Sequence, residues 1–340
     1  MKLLFITQIV DQNDSNMALA HRWIEEFAKH AERVEVVCLK SGRSDLPGNV
    51  RVHSLGKEKG VSRVKYVFNF YRYIWQLRHE YDTVFVHMNP EYVLLGGLLW
   101  KMWGKKIALW YTHKSVPLKL RIAAHIVDTI FSASKESFRL PTSKLQAMGH
   151  GIDTELFALR PTSVGDLRIV TVGRITKTKR LLEMLDALDV LYARKVSFTF
   201  DILGVPIFAH DEAYEQGVRK SAAHRPYTHQ VHFRGAVPYQ SLPEALSHES
   251  VFINLSETGS VDRAVLEAMS VGLVPVTSNT AFREILSPYG LYVADADPER
   301  LADALVHAQS VDRAELSKYV EEHHSLSHLI PAILSVLEAI

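Results

Sequence analysis

Short runs rich in branched and aromatic residues recur along this chain, separated by segments of helical periodicity, and the series occurs twice. The first comprises Leu3–Ile9, Val34–Leu39, Val50–Leu55, Thr83–Met88, Lys106–Tyr111 and Thr129–Ala133, alternating with amphipathic segments such as Ala18–His30 and Tyr66–Glu80. The second comprises Arg168–Val172, Ser197–Leu203, Gln230–Phe233, Val251–Leu255, Val274–Thr277 and Gly290–Val293. Strands that alternate with helices predict parallel sheets of the doubly wound kind. Between the two series, Glu155–Leu167 contains Pro161, Ser163 and Gly165, a linker composition. The expected fold class is therefore α/β, with two Rossmann-like doubly wound domains facing across a cleft. Their expected spans are 1–158 and 159–324, with a C-terminal helix at about 325–340 packing back on the first. At 340 residues the chain exceeds a single core, and 47% hydrophobic residues can fill two. Open α/β sheets bind ligands beyond the carboxyl ends of their strands, so residues at those ends are the candidates for function.

A net charge of +1 argues against a nucleic-acid partner that depends on bulk positive charge. The one cysteine, Cys38, excludes an intramolecular disulfide framework and fits a reducing, cytoplasmic compartment. The N-terminal MKLLFITQIV runs into DQNDSN rather than a small-residue cleavage site, so it reads as a first strand. Tyr92–Trp103 is broken by Lys101 and falls short of the ~20 residues that span a bilayer.

In the second half, Ile169–Val172 leads into Gly173-Arg174-Ile175-Thr176-Lys177-Thr178-Lys179-Arg180 and then an apolar helical pattern. Four cations on one strand-to-helix turn either grip an anion such as a diphosphate or stand as a solvated basic turn. In Leu255–Gly272, Val261, Ala264, Val265, Ala268 and Met269 share one helical face, while Glu267 lies off it, two turns below Ser260. A helix opening with Gly259 and Ser260 offers unpaired N–H groups to a phosphate. The structural alternative is a capped helix with an Arg263–Glu267 surface pair. His113 ends the strand IALWYTH, and His87 and Asn89 in VHMNPEY also sit at a strand end, where they are either acceptor contacts or loop anchors. Gly151 and Asp153 in GHGID read as structural, and Glu321, Glu322, His323, His324 and His328 as a solvated face rather than a metal site.

The order FSASKESFRL, GHGIDTELF, VGRITKTK, VHFRGAV and LEAMSVGLVPVTSN resembles the retaining nucleotide-sugar glycosyltransferases of family four, which have the GT-B fold. The resemblance implies that Arg174 and Lys179 bind the donor diphosphate, that Glu267 binds the ribose hydroxyls, and that His113 contacts the donor sugar at the reaction centre. The donor site is then Gly173, Arg174, Lys179, Gly259, Ser260 and Glu267, with His113, Arg174 and Lys179 catalytic. Asn13 of the first loop joins His87 and Asn89 as an acceptor candidate. Two departures stand out. Eight residues before Glu267, where the family often has a second Glu, this chain has Gly259, with Glu257, Asp262 or a backbone N–H at Gly259 or Ser260 as the substitute. The first loop, 11–16, lacks the family's Gly-Gly.

The implied activity is transfer of a hexose from a nucleoside-diphosphate sugar, the co-substrate, to a hydroxyl acceptor. No metal and no cofactor are expected. Rival readings are a sugar-nucleotide epimerase or phosphorylase on the same scaffold, and a non-catalytic nucleotide-sugar-binding protein. From Tyr92 to Val127 there is no Asp or Glu, while Lys101, Lys105, Lys106, Lys114, Lys119 and Arg121 interleave with Trp100, Trp103, Trp110 and Tyr111, and upstream Arg63, Lys65, Arg72 and Arg78 accompany Tyr66, Phe68, Phe70, Tyr71, Tyr73 and Trp75. Cations among aromatics suit an anionic membrane surface, hence a peripheral protein at the inner face of the plasma membrane with a lipid-linked, polysaccharide or glycolipid acceptor. The alternative is aromatic core beneath solvated cations.

Overall fold

The computed structural model describes residues 1–14, 18–160, 166–256 and 259–340. Ser15 and Asn16 of the first loop, Pro161–Gly165 of the expected linker and Glu257 lie outside the described residues. The chain divides into two compact units, Met1–Asp153 with His324–Ile340, and Thr154–His323.

The first unit begins β1 (Lys2–Val10), α1 (Ala18–His30), β2 (Arg33–Ser41), β3 (Val50–Ser54) and α2 (Arg63–Gln76). It continues β4 (Thr83–His87), α3 (Pro90–Met102), β5 (Lys106–Trp110), α4 (Leu118–Ile126), β6 (Thr129–Ser132) and β7 (Leu145–Ala147). Its seven strands run parallel in the order β3-β2-β1-β4-β5-β6-β7. Because side chains alternate across a strand, Phe5 and Phe85 point to one face, against Trp23 and Phe27 of α1. Leu4, Ile6, Val84 and Val86 point to the other, where Phe70 of α2, Trp100 of α3 and Leu120 of α4 complete a single core. Cys38 is free and buried in β2.

The second unit runs β8 (Leu167–Val172), α5 (Leu181–Ala193), β9 (Phe198–Leu203), α6 (Ala209–Ala223), β10 (Val231–Gly235), α7 (Leu242–Ser247) and β11 (Val251–Asn254). Then follow α8 (Arg263–Val271), β12 (Val274–Thr277), α9 (Arg283–Leu286), α10 (Pro298–His307) and α11 (Arg313–His324). Its five strands are parallel in the order β10-β9-β8-β11-β12. The last helix, α12 (Leu326–Ala339), belongs to the first unit. There Ile152 bridges Ser325, and the Lys106 ammonium donates to the Leu337 carbonyl at 3.0 Å.

Three local expectations need correction. Gly290–Val293 is not a strand: it follows a 3₁₀ turn ending at Gly290 in the left-handed region, and Tyr292 makes a single bridge to Thr277 before Asp297 caps α10. Glu155–Arg160 is not a free linker, because Phe157 is fully buried and its carbonyl accepts from Ser270 at 2.8 Å. The helix expected to open at Gly259 and Ser260 opens at Arg263, since the Asp262 carboxylate takes the Ala264 N–H at 3.2 Å and so fixes the cap. No helix among the described residues is long and apolar enough to cross a membrane.

Candidate nucleotide-sugar site

At the carboxyl end of β8 the chain turns at Gly173, whose φ of 137° is closed to other residues. The next strand's end presses on that turn: a Cβ built on Gly204 would lie 1.9 Å from the Gly173 carbonyl oxygen. Two glycines therefore let β8 and β9 release their chains side by side, and the Gly173 N–H bonds the Leu203 carbonyl at 2.9 Å. The basic turn that follows sorts its four cations into two kinds. Arg180 pairs with Glu183 at 3.0 Å and Lys179 with Asp262 at 2.7 Å. Arg174 and Lys177 are exposed and have no ion pair among the described residues. Of the Arg174 and Lys179 that the sequence assigns to a diphosphate, only Arg174 is thus without an ion pair among the described residues.

The Lys179–Asp262 pair ties the turn after β8 to the start of α8. Asp262 also accepts from the Asn254 amide at 3.0 Å, at the end of β11. Burial pushes the Asp262 carboxyl up, but Lys179 and the hydrogen bonds outweigh it and hold the group below its ordinary value. Of the expected substitutes for the family's first Glu, Asp262 is thus already engaged by Lys179, Asn254 and the helix cap. Gly259 has a φ of 58°, and the Ser260 carbonyl accepts from the Asn279 amide at 2.9 Å. Both belong to the turn before α8 rather than to its first helical turn.

Glu267 is only 3% exposed, so its pair with Arg263, 2.9 Å away, is buried rather than a surface pair. Burial pushes its carboxyl up to about 7, with the Arg263 charge opposing. Oε1 is the oxygen that faces Arg263 Nε, an ion pair whose geometry falls short of a hydrogen bond, so the carboxylate keeps acceptor capacity beside the guanidinium. The Arg263 guanidinium also lies over the Tyr239 ring, 5.5 Å from its centre. Tyr239 and Asn254 are the residues of this cluster that sequence reading assigns no place, and it offers Asp262 only as a stand-in for the missing Glu, whereas its position before an apolar run marks it as a capping residue.

The first-unit candidates separate. His113 is exposed beyond β5, and its Nδ1 accepts the Ser115 N–H at 3.0 Å. His87 is buried at the end of β4, packed on Phe5 and Trp23. Asn89 accepts from the Gln8 amide at 2.7 Å and lines a cavity of about 470 Å³ with Gln8, Tyr66, Phe70, Glu91 and Tyr92. Asn13 is exposed, its N–H bonded to Asp11, away from that cavity's lining. Among the described residues no three His, Cys, Asp or Glu side chains are grouped as a metal would need.

Residues 166–310 match the family model described as Glycosyl transferases group 1. A GDP-mannose:cellobiosyl-diphosphopolyprenol alpha-mannosyltransferase of Xanthomonas campestris is 24% identical over 206 residues, 54% of this chain and 53% of that protein. The match thus spans about half the length of that curated relative. A glycosyltransferase from Rickettsia africae superposes with a TM-score of 0.76 at 11% identity, over 99% of this chain and 98% of the other. Sucrose-phosphate synthase from Thermosynechococcus elongatus gives 0.74 at 14% identity, over 100% and 99%. The comparisons place residues 166–310 with the group 1 glycosyl transferases by sequence, and the chain as a whole in the GT-B fold.

Proposed function

We propose that the chain is a retaining glycosyltransferase that moves a hexose from a nucleoside-diphosphate sugar to a hydroxyl on a lipid-linked, polysaccharide or glycolipid precursor. The observation that carries this reading is the cluster in the second unit. A glycine-led turn with free Arg174 and ion-paired Lys179 is tied at 2.7 Å to the cap of the helix bearing Glu267. In this reading Arg174 and Lys179 hold the diphosphate and the Glu267 carboxylate takes the ribose hydroxyls. His113 meets the sugar, and the Asn89-lined cavity is the acceptor's place in the first unit. The acceptor oxygen bonds to the anomeric carbon as the bond from that carbon to the diphosphate oxygen breaks. The acceptor's proton passes to the departing diphosphate on the same face of the sugar. Positive charge aimed at that leaving group is the main catalytic term, and it comes from side chains without a metal or a cofactor. The curated relative's name couples a GDP-sugar to a diphosphopolyprenol acceptor, which supports both donor and acceptor class.

The test is a calorimetric panel of UDP- and GDP-sugars, followed by NMR of the anomeric configuration after transfer. Binding of one nucleotide sugar with retained configuration in the product is expected. Failure of every nucleotide sugar to bind would overturn the assignment, and an inverted product would overturn the mechanism.

A further inference from the structure

Large apolar side chains left in solvent concentrate on three neighbouring helices. On α2 they are Val64, Phe68 and Trp75; on α3, Leu94, Leu98 and Met102. On α4 they are Leu118 and Ile122. Spacings of mostly four residues put one stripe on each helix. Leu98 is 70% exposed and Met102 79%, so the stripes stand in solvent rather than at a half-covered rim. The helices lie side by side. The Tyr71 hydroxyl of α2 donates to the Leu95 carbonyl of α3 at 3.0 Å, and a Cβ on Gly97 of α3 would come within 2.5 Å of Ile126 of α4. Their inner sides are already used, with Phe70, Trp100 and Leu120 in the core. The outer stripes therefore contribute nothing to that core, and a contiguous apolar face of this kind marks an interaction surface.

Charge selects the occupant. The three helices carry six Lys or Arg; Lys119 is ion-paired to Glu91, their one acid, and Lys101 to Asp128, which leaves Arg63, Lys65, Arg72 and Arg121 without an ion pair among the described residues. Cations ride among the apolar groups, with Lys65 over the Phe68 ring at 5.3 Å and Arg78 over Trp75 at 4.5 Å. A second copy meeting this face through a two-fold axis would set the cations against themselves. An anionic bilayer satisfies both the stripes and the charges. We infer that α2, α3 and α4 form a docking face that lies in the interface of an anionic membrane.

The aromatic surface expected from the sequence is corrected at the same time. Trp100, Trp110 and Tyr111 of its second half are core, as is Phe70 of its first, while Phe68 and Trp75 are exposed and the aliphatic stripes join them. Lys105 and Lys106 are also engaged, donating to the Tyr81 carbonyl at 2.6 Å and the Leu337 carbonyl at 3.0 Å, so charge reversal there would damage the unit itself.

This inference does not rest on sugar transfer, and its test is read without donor or acceptor. The full chain should sediment with vesicles of equal parts phosphatidylglycerol and phosphatidylcholine, much less with phosphatidylcholine alone, and should release as salt rises. Leu98→Gln with Met102→Gln keeps the charge and should lower the partition coefficient roughly tenfold or more, the ratio expected for losing one or two buried apolar side chains. Brominated lipid should quench tryptophan fluorescence in the wild type and lose most of that effect in Trp75→Phe, because Trp75 is the most exposed of the five. Equal vesicle binding by wild type and the double variant overturns the inference. So does a lipid-free dimer in sedimentation velocity that the double variant abolishes, which would assign the face to a second copy.

Discussion

Replacing Glu267 by Gln should move stability and nucleotide binding in opposite directions. Burial pushes the folded carboxyl up to about 7 from its ordinary value of 4.5, the nearby Arg263 charge opposing only in part. Between those values the folded chain keeps a proton that the unfolded chain has released. Stability therefore falls as pH rises from about 4.5 to about 7 and is level above that. A gap of roughly 2.5 pH units at about 1.36 kcal/mol each gives about 3 kcal/mol lost at pH 8. Solvent screens little of this, since the side chain is 3% exposed. Gln cannot ionise, so Glu267→Gln should recover most of the loss. At about 2–4 °C per kcal/mol for a unit of this size, the variant should melt about 6–12 °C higher than wild type at pH 8 and no higher at pH 4. Nucleoside-diphosphate binding, measured by calorimetry, should weaken by about 1.5–3 kcal/mol as a charge-assisted hydrogen bond to ribose is lost. A variant that melts no higher at pH 8 refutes the burial argument. Unchanged nucleotide affinity would leave Glu267 as no more than the partner of Arg263.

The two diphosphate cations should behave differently on removal. Arg174→Ala, at an exposed site without an ion pair, should cost about 10²–10³ in turnover with an unchanged melting temperature. Lys179→Ala should cost as much in turnover and also about 1–3 kcal/mol of stability, because Asp262 at 17% exposure loses its cation; a folded, fully active variant would remove Lys179 from the site. Gly204→Ala should destabilise the second unit by about 3 kcal/mol or more in chemical denaturation, since the new Cβ falls 1.9 Å from the Gly173 oxygen; a neutral effect would mean that the turn is free to move. Chelation with EDTA should leave turnover unchanged if side chains alone neutralise the diphosphate, and a loss restored by a divalent cation would contradict that.

The fold was legible because period and length agree along the chain. Eleven of the twelve expected runs became strands, and only the brief β7, three residues with two exposed, gave no apolar signal to read. The basic turn after β8 was legible for the same reason, since Gly173 and its cations are contiguous. The Lys179–Asp262 pair was not, because 83 residues separate its partners and nothing local marks a side chain for a distant one. Nor was the start of α8, where Gly259 and Ser260 look like a cap and Asp262 performs the capping instead.

Two helices show where periodicity stops being informative. Glu267 lies off the apolar stripe of α8, which sequence reading equates with a solvent-facing flank, yet every residue from Val265 to Val271 is buried. The flanks of α8 are covered by neighbouring segments, Ser270 by Phe157 and Arg263 by Tyr239, so a polar residue there is enclosed and its charge becomes costly. α3 is the reverse case. It is apolar nearly all round, the composition of a helix covered on every side, yet its Leu94, Leu98 and Met102 stand in solvent while Val93 and Trp100 fill the core. A sequence specifies how apolar each side of a helix is, but the fold decides which sides its own chain covers. On α8 the chain covers a side that carries charge, and the Glu267 carboxylate, ion-paired to Arg263, keeps acceptor capacity that a ribose hydroxyl can use. On α3 the chain leaves uncovered an apolar side whose Glu91 and Lys101 are already ion-paired, and the cations on the neighbouring helices specify an anionic surface as the missing layer.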